Sequence, residues 1–389
     1  MIEIVNKEKC CGCYGCVSIC PKKCISMKND EEGFWYPEVN KDICIKCGLC
    51  EKTCPVIRNE YTNTNNTKVK AYVSYTNNYE TRIKSSSGGL FSMFAEKILN
   101  ENGIVFGAVF DDKFLVHHIA ITDIKDLKLF QGSKYLQSDI GDSYKKAKDF
   151  LDKGSKVLFS GTACQIAALK AFLGKEYNNL FTIDVLCHGV PSPKVWQRYV
   201  KEKESEYKSL AKQIEFRNKT EGWKKFSVKI DFKDSKSYRE NLNTDNYMKL
   251  FLKNICLRPS CHDCRFKRLN RPSDVTLGDC WGIEKYMPDM DDDKGTSVVL
   301  VHSESGQEML DSLKNKINLR KAEVDKALPP TADSRKSVKP HPNREKFFYK
   351  LNRGYSISKL VKLTEPSFIK RCIRKSKRII KKVVRKFKE

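Results

Sequence analysis

Two cysteine-rich runs near the start of the sequence are the residues most able to do chemistry. The run CCGCYGCVSICP spans residues 10–21, and the run CIKCGLCEKTCP spans residues 44–55. In both, three cysteines stand three residues apart and a fourth precedes a proline. The N-terminal residues, MIEIVNKEK, lack the apolar segment of a signal peptide, so we expect a cytoplasmic protein. In that reducing compartment, clustering among 17 cysteines indicates metal binding and not disulfides.

The spacing C-x2-C-x2-C-x3-C-P is the one that bacterial ferredoxins use for two 4Fe-4S clusters. Three close cysteines hold one cube, and the fourth crosses to the other cube. The predicted ligands are Cys10, Cys13, Cys16 and Cys54 for the first cluster, and Cys44, Cys47, Cys50 and Cys20 for the second. Structural zinc uses two pairs with a longer spacer, which favours iron-sulfur over zinc. Cys11 and Cys24 are surplus to this count, and we interpret them as small buried or incidental residues.

A third cysteine group follows much later in the chain. It reads Cys256-x4-Cys261-x2-Cys264, with Cys280 sixteen positions further on. This resembles the plant-type iron-sulfur spacing and favours an iron-sulfur cluster, and we expect it to be a third 4Fe-4S cluster. Zinc held by Cys261, His262, Cys264 and one more ligand is the alternative.

Between these groups, apolar strands alternate with helical patterns. The sequence predicts strands at residues 71–75, 104–110 and 156–161, and one from residue 180 that ends at the Cys187-His188-Gly189 turn. Such alternation indicates an α/β body, in which ligands gather at the C-terminal ends of strands. Cys164 lies in one loop of this kind and could be an activated thiolate, a cluster ligand or a packed small residue.

A run of small residues, SSSGG at 85–89, stands just before a predicted helix. Apolar residues recur at helical spacing from Leu90 to Leu99 and stop before Gly103. Hydroxyls and free amides at a helix start can hold a phosphate or pyrophosphate. A simple N-cap is the alternative for the same residues.

Six motifs in the body carry a resemblance to a known family. They are SSSGGLFSMFAE, QGSKYLQSDIG, VLFSGTACQIAALK, DVLCHGVPSP, CLRPSCHDCRFK and DVTLGDCWGIEK. In this order behind a dicluster ferredoxin, they resemble the family of coenzyme F-420 (deazaflavin) hydrogenase/dehydrogenase beta subunits over residues 1 to about 350. The chain also resembles the branch of that family encoded among bacterial polysaccharide-synthesis genes.

The resemblance implies an iron-sulfur flavoprotein oxidoreductase that binds FAD. The flavin-site residues it implies are Ser86, Ser87, Gly88, Gly89, Gly132, Ser133, Lys134, Tyr135 and Gln137. It also implies that Cys256, Cys261 and Cys264 are cluster ligands. Two positions depart from the family pattern, because Ala163 stands for a proline and Cys280 for a phenylalanine. The fourth ligand is therefore open among Cys164, Cys187 and Cys280.

The predicted architecture is a mixed α+β or α/β chain in five parts. They are a dicluster ferredoxin domain (1–58), a linker (59–70), the N-terminal part of the flavin-binding body (71–155), its C-terminal part with the third cysteine group (156–350) and a basic amphipathic tail (351–389). The last 24 residues carry eleven Lys or Arg and one Glu, which accounts for ten of the net charge of +25. We expect this amphipathic segment to lie on an anionic membrane surface, with a partner protein or RNA as alternatives.

A mechanism and its competitors follow from these predictions. Clusters carry single electrons and a flavin exchanges hydrides, so a redox partner such as a ferredoxin or a reductase is implied. His188 is our candidate for the proton donor, and a histidine that only hydrogen-bonds a turn is the alternative. The leading function is a flavin-dependent reductase in cell-surface polysaccharide synthesis, and the runner-up is a non-catalytic electron-transfer subunit. Specific nucleic-acid binding is not expected, since the remaining positive charge is spread along the chain.

Overall fold

The structure is a computed structural model that describes residues 1–3, 6–58 and 69–365. Most of the predicted linker and the last 24 residues of the tail lie outside these ranges. The N-terminal unit contains two short strands, β1 (Ile25–Asn29) and β2 (Trp35–Val39), paired antiparallel with Ile25 opposite Val39. Its helices are α1 (Gly15–Ile19), α2 (Leu49–Lys52) and α3 (Pro55–Arg58). Each cysteine run therefore leads into a helix too short to stand alone.

A nine-stranded mixed sheet forms the centre of the body. Its strands are β3 (Lys70–Thr76), β4 (Ile104–Phe110), β5 (Val116–Ile121), β6 (Ser138–Asp139), β7 (Val157–Thr162), β8 (Leu180–Val185), β12 (Val275–Asp279), β13 (Ser297–Val301) and β14 (Ile317–Ala322). Their order is β14-β3-β13-β12-β8-β7-β4-β5-β6. The inner strands β4, β7, β8 and β12 run parallel, so their C-terminal ends share one edge.

Ten helices of the described body follow or precede these strands. They are α4 (Tyr79–Lys84), α5 (Leu90–Asn100), α6 (Ser143–Asp152), α7 (Ala163–Leu173), α8 (Pro193–Tyr207), α9 (Asn246–Leu252), α10 (Glu304–Asp311), α11 (Val324–Ala327), α12 (Arg344–Asn352) and α13 (Ile357–Leu360). No helix in the described ranges is long and apolar enough to cross a membrane.

Local sequence explains where the helices near the site begin. Gly89 takes a left-handed φ of 84°, which turns the chain from the SSSGG run into α5. Thr162 and Gln165 form a reciprocal capping box at the start of α7, and such caps stabilise a helix by about 1 kcal/mol. Gly174 ends α7 with a φ of 68°. These helix starts follow β-strands or tight turns, so they present their first residues at the sheet edge.

A smaller antiparallel sheet covers part of the body. It contains β9 (Ala211–Asn218), β10 (Ser227–Phe232) and β11 (Ser237–Asn241) in the order β11-β10-β9. An aromatic core that includes Trp196, Phe216 and Tyr247 fills the space beside it, with ring centroids 4.7–5.7 Å apart. This core also contains Phe34 of the N-terminal unit, so the two parts of the chain share one packed interior.

Polar contacts tie the N-terminal unit to the body as well. The Tyr144 hydroxyl lies within hydrogen-bond distance of the carbonyl oxygens of Cys13 (3.0 Å) and Gln165 (2.9 Å), to which its single hydrogen can donate. The guanidinium of Arg344 pairs with Glu32. The predicted fold class, a mixed α/β protein with an N-terminal ferredoxin-like unit, is confirmed, and the nine-stranded sheet is its largest element.

Candidate functional site

The first predicted cysteine group is brought together by the structure. Cys10 and Cys13 lie in the loop before α1, Cys16 lies in α1, and Cys54 stands between α2 and α3. Burial raises the pKa of the Cys16 thiol, and the three other sulfurs of the group raise it further. Burial also raises the pKa of Cys54 to about 11. Because the sulfurs act on one another's pKa, the four thiols lie near each other, which is compatible with the predicted crossed arrangement with Cys54.

The second predicted group surrounds an opening at the protein surface. Cys20, Cys44, Cys47 and Cys50 line this opening together with the surplus Cys24. The Cys50 sulfur accepts a hydrogen bond of 3.2 Å from the amide of Ile2, and the Cys24 sulfur lies 3.3 Å from that of Cys20. Cys47 is exposed to solvent. This group therefore forms the solvent-facing end of the N-terminal unit.

Five cysteines line one cavity. One is the surplus Cys11, and the other four, which we call the third group, differ from the predicted set. They are Cys164, Cys187, Cys261 and Cys264. Cys164 begins α7 after β7, and Cys187 follows β8, which runs parallel and next to β7. Cys261 and Cys264 lie in and after a short 3-10 turn at Pro259–Asp263. The parallel strand ends thus place two of the four cysteines, and the turn supplies the other two.

The thiols of this third group influence each other. Burial raises the pKa of Cys187 to about 12, and the neighbouring Cys164 raises it further. Hydrogen bonding from Cys11 lowers the pKa of Cys164 to about 7, and the Thr162 hydroxyl, 3.1 Å from its sulfur, contributes. The surplus Cys11 lines the same cavity and also contacts Cys13. The first and third groups therefore meet at Cys11.

Two cysteines of the predicted third set lie elsewhere. Cys256 is fully buried in the aromatic core, where burial raises its thiol pKa to about 12. Cys280 is fully buried in another core cluster, with its sulfur 2.9 Å from the Tyr286 hydroxyl. Cys261 packs against the same aromatic core as Cys256. Neither Cys256 nor Cys280 lines the cavity that Cys261 and Cys264 share.

The zinc alternative for this region depends on His262, whose buried Nε2 atom has no hydrogen-bond partner among the described residues. The Nδ1 atom of His262 lies 2.9 Å from the carbonyl oxygen of Val338. Within the described part of the chain, no three His, Cys, Asp or Glu side chains are arranged to hold a single metal ion. A zinc ion needs its sulfur ligands about 2.3 Å away around one point.

The two predicted flavin-site segments come together. We call residues 86–89 the first flavin stretch and residues 132–137 the second flavin stretch. The Ser86 hydroxyl accepts hydrogen bonds from the amide of Ser133 (2.7 Å) and from its hydroxyl (2.8 Å). Ser87 donates to the carbonyl of Thr296 at 2.9 Å, and the amide of Gly88 donates to the Ser297 hydroxyl at 2.9 Å. The helix start after Gly89 therefore faces residues 132–135, at the C-terminal side of the sheet.

Cations that sequence reasoning missed surround these stretches. Arg217 donates to the carbonyl of Ser86 (3.0 Å) and to the Tyr135 hydroxyl (3.0 Å), and it pairs with Asp279 at 2.7 Å. The Lys219 ammonium donates to three carbonyl oxygens, including that of Ser87 at 2.9 Å, and burial lowers its pKa to about 7. No motif marks either residue, because both enter the site from β9 and the turn after it through long-range packing.

His188 has partners on both ring nitrogens. Its Nε2 atom lies 2.7 Å from the Asn254 amide oxygen, and its Nδ1 atom lies 3.3 Å from the Asp333 carboxylate. Burial lowers the pKa of His188, and the charge of Lys267 adds to this effect. Its ring meets Phe251 edge-on at 5.0 Å, and Phe251 stacks on Tyr135 at 5.0 Å. His188 thus connects the third cysteine group to the second flavin stretch.

Comparison with known families gives two matches. Residues 9–57 match a 4Fe-4S dicluster domain. Residues 154–327 match the family described as the C terminus of the beta subunit of coenzyme F420 hydrogenase/dehydrogenase. The chain joins a dicluster domain to a beta-subunit domain of the coenzyme F420 hydrogenase/dehydrogenase family. It is therefore an iron-sulfur protein of an oxidoreductase family with an electron-transfer role.

Individual relatives match parts of this chain. The ketoisovalerate oxidoreductase subunit VorC of Methanothermobacter marburgensis is 38% identical over 56 residues, which is 14% of this chain and 71% of VorC. The F subunit of the F(420)H(2) dehydrogenase of Methanosarcina mazei is 20% identical over 181 residues, 43% of this chain and 49% of that protein. The chain therefore spans about half the length of this dehydrogenase component. A chain of the F420-reducing [NiFe] hydrogenase complex from Methanosarcina barkeri is 18% identical, with a TM-score of 0.45 over 75% of this chain and 90% of that one.

Proposed function

We propose that this chain is an iron-sulfur flavoprotein oxidoreductase that transfers electrons between three 4Fe-4S clusters and FAD. The observation that carries the proposal is the position of the third cysteine group. It touches the first group at Cys11, and it reaches the second flavin stretch through His188 and Phe251. When bound, the clusters would carry single electrons and the FAD would exchange them as a hydride.

The residues that would hold the clusters are the three groups of four cysteines. The first eight are those predicted from the sequence. For the third cluster we propose Cys164, Cys187, Cys261 and Cys264 in place of a set that includes Cys256 or Cys280. Lys267 and Arg271 line the same cavity, so positive charge is available to offset the thiolates. Four cysteines on one cavity are the donor set that a cube requires.

The residues around Ser86 and Ser133 fit a bound dinucleotide. The space where a side chain at Gly132 would lie is open to 4 Å. Lys134 donates only to the carbonyls of Gln131 (3.3 Å) and Gly132 (3.2 Å), and within the described ranges no carboxylate pairs with it. The buried nitrogens Gln137 Nε2 and Arg217 Nε also have no hydrogen-bond partner among the described residues. A pyrophosphate and a flavin ring would supply the missing acceptors.

His188 is the residue we propose for proton delivery to the substrate. The Asn254 amide oxygen holds a proton on its Nε2 atom, and the Asp333 carboxylate faces its Nδ1 atom. Burial lowers the pKa of His188, and the Asp333 carboxylate can share the positive charge when the ring takes up a proton.

A non-catalytic electron-transfer subunit is the second candidate function. The matched relatives from Methanothermobacter marburgensis and Methanosarcina mazei are themselves named as subunits of larger oxidoreductases, which favours this alternative. A turnover assay with the purified protein, reduced through a viologen dye, distinguishes the oxidoreductase from the non-catalytic subunit. Turnover of an added hydride acceptor by the chain alone supports the proposal, and turnover only after a second protein is added supports the non-catalytic role.

We further propose that a redox partner, such as a ferredoxin or a reductase, docks at the second cysteine group. Ile45 (59% exposed) and Leu49 (37% exposed) stand on the rim of the opening beside Lys22 and Lys46. The exposed Cys47 lies within this rim. An apolar patch with a basic edge suits an acidic electron carrier.

Two finer parts of the proposal rest on the sequence alone. Contact of the tail with an anionic membrane falls on residues 366–389, which lie outside the described ranges. Deleting this segment should abolish co-sedimentation with phosphatidylglycerol vesicles, and unchanged binding would remove the membrane contact. A role in cell-surface polysaccharide synthesis follows only from the resemblance, and loss of surface glycan in a deletion strain is its test.

A further inference from the structure

Arg258 is a fully buried arginine at the junction of the N-terminal unit and the body. Its exposed fraction is 0%. The Nε atom donates to the carbonyl of Cys10 at 2.8 Å, and the Nη2 atom donates to the carbonyl of Trp35 at 2.9 Å. The Nη1 atom donates to the side-chain oxygen of Gln137 at 3.0 Å. The guanidinium therefore joins the first cysteine run, the β1–β2 hairpin and the second flavin stretch.

The charge of Arg258 has no carboxylate partner among the described residues. The contacts at its guanidinium are neutral carbonyls, an amide and the ring of Tyr36, whose centroid lies 4.2 Å away. A buried cation without an anion is strongly disfavoured, so an anion is expected close by. The sulfur of Cys10 lies 3.7 Å from Nη2. A thiolate at Cys10 is the anion that this geometry offers.

The backbone around Arg258 is adapted to this approach. Gly12 has a φ of +65°, and a Cβ atom there would lie 2.9 Å from Nη1 of Arg258 and 2.6 Å from Nε2 of Gln137. Only glycine leaves room for both side chains. The loop that carries Cys10 and Cys13 is thus shaped to admit the guanidinium.

We propose that Arg258 is a positioning residue that raises the reduction potential of the first cluster above that of the second. This inference rests on the proposed function, because it requires a cube on Cys10. Reduction adds one electron, and hence one negative charge, to a cube. A fixed buried cation beside the Cys10 sulfur stabilises the reduced form, whereas the lysines at the second group are exposed and screened by water. Electrons that enter at the exposed Cys47 would then move inward.

The test is an EPR-monitored redox titration of the anaerobically reconstituted full chain and its variants. In Arg258→Gln we expect the midpoint potential of one cluster, seen as one step of the titration, to fall. At a fixed potential, the ratio of reduced to oxidised cluster should be about tenfold lower, which corresponds to about 59 mV for one electron. The other steps should stay unchanged. Arg258→Lys keeps the positive charge but loses the planar guanidinium with its several donors. It should therefore lower the potential of the same cluster by a smaller amount.

Arg344→Gln is the matched control. Arg344 also ties the N-terminal unit to the body, through Glu32 and the carbonyl of Leu257, but its charge is already paired. It should shift no step. Equal shifts of all steps in Arg258→Gln and Arg344→Gln would show a loosened junction and overturn the inference, as would unchanged potentials in an iron-loaded Arg258→Gln. If Arg258→Gln does not load the first cube, the same criteria apply to Arg258→Lys. Wild-type protein without iron would instead refute the proposed function.

Discussion

Single side chains decide which sulfurs can share a cluster. Cys256 and Cys261 are five residues apart in sequence and both contact the aromatic core, yet only Cys261 also lines the third cavity. Spacing gives the distance between cysteines along the chain but not the direction in which each side chain points. The sequence therefore predicted a third cysteine site but not all of the cysteines that line its cavity. The eight N-terminal cysteines were predictable because their loops are too short to place the sulfurs in many ways.

Replacing the cysteines of the third region separates the two ligand sets. Cys164→Ala and Cys187→Ala should each lower the iron content by about four atoms per chain, because a cube with three protein ligands is labile. Cys256→Ala and Cys280→Ala should keep all the iron, with some loss of stability from the cavity created. Iron and acid-labile sulfide analysis after anaerobic reconstitution is the measurement. Iron loss in Cys256→Ala but not in Cys187→Ala would contradict the proposed set.

Lys134 predicts a pH dependence for flavin binding. Burial lowers the pKa of its ammonium to about 8 in the free protein, and an anionic phosphate nearby would raise it again. Only the charged form attracts the phosphate, so affinity should be constant below about pH 8 and fall above it, by up to tenfold per pH unit. Fluorescence titration of apoprotein with FAD measures this. Lys134→Met should bind FAD weakly with no such slope, and an unaltered slope would exclude Lys134.

The turn before α5 brings the two flavin stretches into contact, through the hydrogen bonds between Ser86 and Ser133. Its helix start after Gly89 was predictable from the glycines and the helical spacing of apolar residues. Its partners were not. Ser74 lies in β3, Ser297 begins β13 and Thr296 precedes it, and these two strands are antiparallel neighbours more than 200 residues apart in sequence. Periodicity predicted β4 at the residues it occupies, whereas the order of the nine strands depends on such long-range pairing.

Gly88→Ala tests whether this turn must pack tightly. A Cβ atom at Gly88 would lie 2.4 Å from the carbonyl oxygen of Ser74. We expect a loss of about 1–3 kcal/mol in the free energy of unfolding from overpacking, together with weaker FAD retention. Gly132→Ala is the comparison, because it has open space and only the backbone penalty of its φ of +80°. Thermal melting and flavin content are the measurements, and equal effects in both variants would show that packing at Gly88 is not special.

Across the protein as a whole, the three cysteine groups form a route from the surface to the sheet edge. The second group opens to solvent, and the first packs against it in one core cluster. The third adjoins the flavin stretches through His188. The dicluster spacing predicted the outer part of this route. The contact at Cys11 was missed, because a surplus cysteine beside a ligand carries no pattern of its own.

The entry point of electrons is testable with surface variants. Ile45→Ser combined with Lys46→Glu should slow reduction of the chain by an acidic ferredoxin at least tenfold, since both the apolar contact and the charge attraction are lost. Iron content should not change. Lys125→Glu, an exposed lysine outside the dicluster domain, serves as the charge-matched control. Stopped-flow absorbance at low salt measures the rate, and equal rates in all three proteins would place the docking surface elsewhere.

The central claim is that three groups of four cysteines hold three cubes beside one flavin. Protein purified and reconstituted without oxygen should contain about twelve iron, about twelve inorganic sulfide and about one FAD per chain. About eight iron would remove the third cluster and the route to the flavin. Colourless protein without sulfide would contradict the account entirely.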